Sequence, residues 1–297
     1  MTALTIHAVA AEDGRLAALT YPRYAHLLAA DMLRQPDVGV LAATRAGEPI
    51  GLALLARQDD GEARLLSLAV APAWRRQGAG MALMEAAAQW ARGRALPSLH
   101  TLYGGNMRGL DAWQGLLARA GWTAPELYLL SLTGRADWAA EARREWDELF
   151  DRLDETGFAI TPWQDRTGQD DAELARLAES AGRMAAGLVD APLPGPSVVI
   201  REHGRPVGWV LATEGAKPGD VFYPVGYVVP RLQRTGWLIG ALVEACVIQE
   251  RLFGTDGTCS FQTAGDNRAM QAFMLRRLDK WTIRRTRHYK SSKSLSP

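Results

Sequence analysis

The residues best suited to chemistry lie in the run Val70-Ala71-Pro72-Ala73-Trp74-Arg75-Arg76-Gln77-Gly78-Ala79-Gly80-Met81-Ala82-Leu83-Met84. Gly78 and Gly80 let the main chain approach a ligand closely and take positive φ. The residues after them start a helix, whose first N–H groups are unpaired and whose positive dipole end favours an anion. Arg75 and Arg76 add charge where a pyrophosphate would sit. The loop therefore reads as a site for a phosphate-bearing ligand. No Lys-Ser or Lys-Thr follows the glycines, so it is not a nucleoside-triphosphate loop. The third glycine of a dinucleotide fingerprint is also missing.

Such a loop needs a strand before it and a helix after it, and the chain supplies that arrangement twice. Gly47-Glu48-Pro49-Ile50-Gly51 precedes a strand-like run from Gly61 to Pro72, and Gly204-Arg205-Pro206-Val207-Gly208 precedes one from Gly219 to Pro230. The two turns are 157 residues apart and the two prolines 158, the spacing of an internal duplication. In each half a β-type run (Val40–Thr44, Val198–Glu202) reaches its turn and returns as a second strand (Ile50–Leu55, Val207–Leu211). The third strand ends in the basic, glycine-containing loop, and an apolar helix follows, expected over Met81–Ala91 and Leu238–Leu252. First strands are expected at Leu4–His7 and Phe158–Thr161. Residues 136–156 have helical apolar spacing and mixed charge, which predicts a linker helix. The expected organisation is a first domain over 1–134, a linker helix over 135–156 and a second domain over 157–297. The basic run Arg284–Lys290 reads as a last strand, the alternative being a clamp for an anionic partner.

With proline, strand, loop and helix in this order, V-x-P-x-W-R-R-Q-G-A-G-x-x-L-M resembles motif A of the GNAT acetyltransferase superfamily, whose core is [R/Q]-x-x-G-x-[G/A]. Arg75, Gly78 and Gly80 take its fixed positions, and Leu83 and Met84 match the apolar residues that follow. Gly121-Trp122 resembles the end of the family's later helix, and Leu99–Tyr103 followed by Asn106 resembles its strand-plus-Asn segment. The resemblance covers most of residues 35–132 in the first half. It implies an α/β fold of two tandem GNAT-like domains, each a mixed twisted sheet flanked by helices. It also implies an acyl-CoA-dependent N-acyltransferase. Acetyl would pass from acetyl-CoA to a primary amine by direct attack in a ternary complex. The coenzyme residues implied are Leu68, Ala69, Val70, Arg75, Arg76, Gln77, Gly78, Ala79, Gly80, Met81 and Asn106. The loop would carry the pyrophosphate and the strand before it the thioester arm, in a slot where that strand and the one near Leu102 splay apart.

Two departures matter. The family's acid, a Tyr seven residues after the Asn, falls on Trp113. Tyr103 is the substitute acid, the alternative being an ordinary strand tyrosine; thiol pKa values near 8–9 make an acid dispensable. Glu62 is the base candidate by position, the alternative being a hairpin-turn charge. In the second half Gln233 and Gly236 fit the motif but Leu238 replaces the second glycine. That half reads as degenerate for coenzyme, retained for structure or for holding the acceptor.

Bulk composition bounds the rest. The 297 residues carry 34 Lys plus Arg against 33 Asp plus Glu, a net charge of +1 that excludes a broad electrostatic grip on nucleic acid or acidic membrane. The expected partner is a small-molecule or peptide amine. Cys246 and Cys259 fit neither a disulfide framework nor metal-ligand spacing, so a reducing compartment and no metal are expected. The N-terminal residues lack the basic start of a signal peptide, and the apolar stretch near Leu238–Ile248 is too short to span a bilayer, so the expected location is cytoplasmic. Two other functions stay open: a fatty-acyltransferase acting on a peptide or carrier protein, with some of the ten Trp lining an acyl groove, and a non-catalytic CoA-binding module. Fold kinship does not specify the acceptor or the oligomeric state.

Overall fold

A computed structural model of the chain describes residues 2–181 and 192–295. The chain divides into two compact units, one made of Met1–Tyr128 with Arg287–Pro297 and the other of Leu129–Thr286.

In the first unit, β1 (Leu4–Ala8), β2 (Val38–Arg45), β3 (Glu48–Arg57) and β4 (Ala63–Val70) pair antiparallel in sequence order. Strand β4 then pairs parallel with β5 (Ser98–Gly104), and the end of β12 (Thr282–Ser294) closes the far side of β5, antiparallel over His288–Ser294. The β2–β3 turn has Ala46 at φ 52° and Gly47 at φ 79°, two left-handed residues that match the strand twist. Strand β3 is buried over both faces from Ile50 to Leu55, as its unbroken apolar run requires. One face carries the helix α2 (Ala79–Arg92), which lays Ala79, Leu83, Met84, Ala87, Ala88 and Ala91 along one stripe against Leu41, Ile50 and Leu65. The helix α3 (Leu110–Arg119) joins it through Leu117. The other face is covered by two 3₁₀ turns, Gly14–Leu19 and Pro22–Leu28, and the short α1 (Ala30–Leu33), where Leu16, Leu27 and Leu28 pack on Leu52 and Leu54.

The second unit repeats this plan. β7 (Phe158–Pro162), β8 (Val198–Glu202), β9 (Arg205–Glu214) and β10 (Val221–Val228) are antiparallel, β10 pairs parallel with β11 (Thr258–Ala264), and β6 (Glu126–Arg135) closes the far side through Leu129–Arg135. The β8–β9 turn has His203 at φ 47° and Gly204 at φ 84°. The first hairpin shifts register between Ala43 and Thr44, the second between Ile200 and Arg201, so even the irregularity is repeated 157 residues on. One face carries α4 (Trp138–Glu145), α5 (Asp147–Glu155), α7 (Trp237–Phe253) and α8 (Arg268–Phe273), and the other α6 (Gly168–Ala181).

Two expectations are corrected. The linker helix over 135–156 is two helices broken at Trp146 (φ −109°, ψ 33°), whose ring is held among Trp138, Phe273 and Trp281. Both helices lie within the second unit, with Trp138, Ala142, Phe150 and Leu153 in its core. The division also differs from 1–134 and 157–297, because residues 129–134 pair with β11 and residues 288–294 pair with β5 of the first unit. A strand's alternation specifies its buried face but not which strand lies beside it.

This pairing has a testable consequence. A chain ending at Thr286 would leave β5 as an open edge and remove Leu295, 8% exposed, from the first core. Calorimetric melting should show a lowered or missing transition for the first unit, and an unchanged melt would contradict the assignment.

Candidate functional site

After β4 the chain makes a 3₁₀ turn at Pro72–Trp74, extends at Arg75 (φ −68°, ψ 155°) and turns left-handed at Arg76 (φ 63°) and Gly78 (φ 90°) before entering α2. The N–H of Ala82 donates to Gly78 O at 3.0 Å, so the N–H groups of Ala79, Gly80 and Met81 precede the helical ladder. Nothing lies within 4 Å of where a Cβ on Gly78 would stand, and its φ excludes most other residues. Gly80 is different and corrects the expectation of two positive-φ glycines. Its φ is not left-handed, and a Cβ there would meet Leu116 Cδ2 at 3.5 Å and Val70 Cγ2 at 4.0 Å, an ordinary contact. What its hydrogen preserves is the width between the helix start, Leu116 of α3 and the end of β4.

The loop's polar side chains are braced. Arg75 Nε donates to Val70 O at 3.0 Å, and Gln77 Nε2 donates to Ala73 O at 3.2 Å. Gln77 Oε1 accepts from Arg45 Nη1 at 2.8 Å, and the Arg45 guanidinium lies 5.1 Å from the Trp74 ring centroid. Arg45 went unnoticed in the sequence. It sits 30 residues before Arg75, and its place at the end of β2, on the loop's side of the sheet, is its sole signal. Arg45, Arg75 and Arg76 thus gather three guanidinium groups around the loop.

The strand before the loop is opened by two features. β4 and β5 pair at just two positions, Ala63↔Leu99 and Arg64↔His100. Next, Thr101 Oγ1 donates to Leu65 O at 3.0 Å, and a bulge in β4 follows, where the register against β3 shifts between Leu54 and Leu55. Leu68, Ala69 and Val70 pair with β3 on one side, have no ladder partner in β5 on the other, and are half-buried. An extended ligand with amide groups could pair with that edge. Asn106, exposed in the turn after β5, lies beyond the upper end of this slot.

Glu62 and Tyr103 are not brought together. Tyr103 is buried in the α2/α3-side core, its ring edge-on to Trp113 at 6.2 Å and its hydroxyl 3.1 Å from Ser291 Oγ. Glu62 instead lies beside His100, with Oε2 3.2 Å from Nδ1, and 3.8 Å from Lys290 Nζ. Burial foremost, and Lys290 next, hold the His100 imidazole below its ordinary pKa, with Glu62 acting the other way. Neither His100 nor Lys290 stood out in the sequence, since they meet Glu62 through strand pairing alone.

The second unit keeps the loop's shape with different contents. Gln233 (φ −65°, ψ 142°), Arg234 (φ 70°) and Gly236 (φ 96°) repeat the conformations at 75, 76 and 78, and Gln233 Nε2 donates to Val228 O at 3.3 Å as Arg75 does to Val70. Leu238 turns onto the bare face of Gly226 in β10, where a Cβ would be 2.7 Å from its Cδ1. The pair Leu68 and Gly80 has become Gly226 and Leu238, a swap of bulk between strand and helix. Leu149 of α5 covers the open side of Gly236. The cleft here, about 920 Å³, brings Glu145, Asp147 and Glu148 beside Arg152, Arg234 and Arg277.

Residues 6–114 match the acetyltransferase (GNAT) family. Over its whole length the chain resembles a GCN5-related N-acetyltransferase from Sphaerobacter thermophilus (TM-score 0.63, 14% identity, 99% of this chain and 96% of that one). It equally resembles a tandem GNAT protein from the clavulanic acid biosynthesis pathway (TM-score 0.61, 15% identity, 99% of each chain). The chain therefore folds as two GNAT-like domains, with the family match itself lying in the first. A third likeness is to a glucosamine N-acetyltransferase region of a fungal multi-domain β-N-acetylglucosaminidase (TM-score 0.69, 11% identity, 98% of this chain and 38% of that one). At these identities the likeness is one of fold. No curated relative matches significantly in sequence. Among the described residues, no cluster of three His, Cys, Asp or Glu could hold a metal ion, and no helix is long and apolar enough to cross a membrane.

The two glycines of the loop should separate in a denaturant titration. Gly78→Val forces a β-branched residue into left-handed φ and should lower stability by at least ~1–2 kcal/mol. Gly80→Ala should be neutral or slightly stabilising, since helical Gly is roughly 0.5–1 kcal/mol worse than Ala.

Proposed function

We propose that the protein is an acyl-CoA-dependent N-acyltransferase that moves acetyl from acetyl-CoA to a primary amine, and that its first unit does the work. The observation that carries this reading is the opening of β4 from β5, which leads from an unpaired strand edge to a loop of unpaired N–H groups. The residues fit such a co-substrate. The open face of Gly78 and the N–H groups of Ala79, Gly80 and Met81 suit a diphosphate, with Arg45, Arg75 and Arg76 neutralising it. Arg45 Nε is buried without a partner among the described residues, a donor that a phosphate oxygen would satisfy. The free edge of Leu68, Ala69 and Val70 suits the amides of a pantetheine arm, and a main-chain N–H near the bulge suits the thioester carbonyl.

The chemistry asked of the chain is then modest. It holds the two reactants in line, polarises one carbonyl and removes a proton from an ammonium. CoA thiolate, with a thiol pKa of about 8–9, leaves without an acid. That suits a Tyr103 whose hydroxyl is already engaged with Ser291. The acceptor would enter on the face of the 3₁₀ turns, where Thr20 Oγ1 reaches Ser67 Oγ at 3.3 Å. In the second unit Leu149 over Gly236 and three carboxylates in the cleft disfavour a diphosphate, which supports the reading of that loop as degenerate.

Calorimetry on the intact protein should give one CoA site per chain, lost in Gly78→Val and unchanged in Arg234→Ala. Acetyl-CoA with a panel of amino acids, aminosugars, polyamines, arylalkylamines and short peptides should then release thiol with at least one amine. CoA uptake with no release by any amine would make the protein a binding module, and a preference for long-chain thioesters would change the acyl group.

A further inference from the structure

Glu62, His100 and Lys290 converge from the β3–β4 turn, β5 and β12 onto one face of the first unit's sheet. Leu99 and Tyr103 point into the α2/α3 core, so by strand alternation His100 faces the other way, toward the 3₁₀ turns and Leu66. Lys290 stands opposite Leu102 and Ser292 opposite His100, which puts Lys290 on the same face. His100 also occupies the last paired position of β4 and β5, at the foot of the slot. Its two nitrogens differ. Nδ1 is sealed from solvent and stands 3.2 Å from Glu62 Oε2 without making a hydrogen bond to it, whereas Nε2 has no hydrogen bond to the described residues and is not among the shielded atoms, so it keeps a path to water.

From this arrangement we infer that His100 is the base of the transfer, its Nε2 taking the proton of the acceptor's ammonium group while the Glu62 carboxylate stands beside Nδ1. The inference rests on the acyl-transfer reading above. Loss of the proton frees the nitrogen lone pair, which forms the C–N bond at the thioester carbonyl carbon. The C–S bond breaks and its electron pair leaves on sulfur. Of the ammonium's three protons, one stays on the amide, one ends on the thiol and one reaches solvent through His100. As a residue type, an imidazole titrates closer to neutral pH than a carboxylate does, which makes it the better partner for this proton. Burial foremost keeps the ring neutral and ready to accept, and the charges around it adjust that balance. Lys290 and Arg64 disfavour the imidazolium, and Glu62 and Asp60 partly offset them.

The opposed signs make the test specific. With acetyl-CoA and the amine that turns over best, kcat/KM should fall off on the acid side with a midpoint below the usual histidine value. His100→Gln should reduce kcat on the order of 100-fold and abolish that limb, with CoA affinity by calorimetry unchanged. Glu62→Gln should move the limb to lower pH, and Lys290→Met should move it to higher pH, because their charges act in opposite directions on the same ring. NMR titration of the imidazole, assigned by its loss in His100→Gln, should give matching midpoints without any acceptor. Turnover within threefold of normal in His100→Gln, a ring still protonated at pH 7, or limb shifts of the same sign in the two flanking variants would overturn the assignment. Absence of turnover with every amine while CoA still binds sinks the acyl-transfer reading itself.

Discussion

The first unit depends on one interruption of its hydrogen-bond ladder. Two parallel strands that begin paired at Ala63 and Arg64 are driven apart within the next few residues. Thr101 satisfies the carbonyl of Leu65 at the foot of the break, and the bulge in β4 adds the bend. Past that point Leu68, Ala69 and Val70 carry main-chain groups that the sheet does not use. A separation of this kind costs ladder bonds, and the flanking structure must hold it open. On the α2 side the helix start, Val70 and Leu116 set its width, and on the other side Ser67 is tied to Thr20.

Charge and bulk separate the two copies of this device. Both loops turn through the same left-handed pair and both anchor a side chain on the carbonyl that ends the strand. Around the first gather Arg45, Arg75 and Arg76, and the space over Gly78 is open. The second has Leu149 in that space and as many carboxylates as guanidinium groups nearby. The two loops therefore share their backbone conformation while the side chains around them differ. A left-handed glycine after an extended residue is dictated by the strand-to-helix turn itself, which both units need for their cores.

The end of the chain contributes more than an edge strand. Over His288–Ser294 it completes the ladder of β5, and its side chains reach both faces there. Ser291 holds the Tyr103 hydroxyl in the core, and Lys290 approaches Glu62 on the opposite side. The basic run that reads in the sequence as a last strand is thus also part of the electrostatic setting of the first unit.

What the residues alone determined was local. Periodicity, turn glycines and the duplicated spacing located the hairpins, the loop and both long helices, with bounds near Ala79–Arg92 and Trp237–Phe253. The motif identified Gly78 correctly as a position needing positive φ, because that requirement is carried by the residue itself. What tertiary structure decided was partnership. The break at Trp146 lies among three aromatic rings, two of them, Phe273 and Trp281, from distant segments, and the assignment of Arg287–Pro297 to the first unit follows from an open side of β5. Arg45 beside Gln77, Glu62 beside His100 and Tyr103 against Ser291 are likewise products of register between strands. Period-two alternation fixes a side chain's face and leaves its neighbour open, and the neighbour is what sets a proton's affinity or a hydroxyl's freedom.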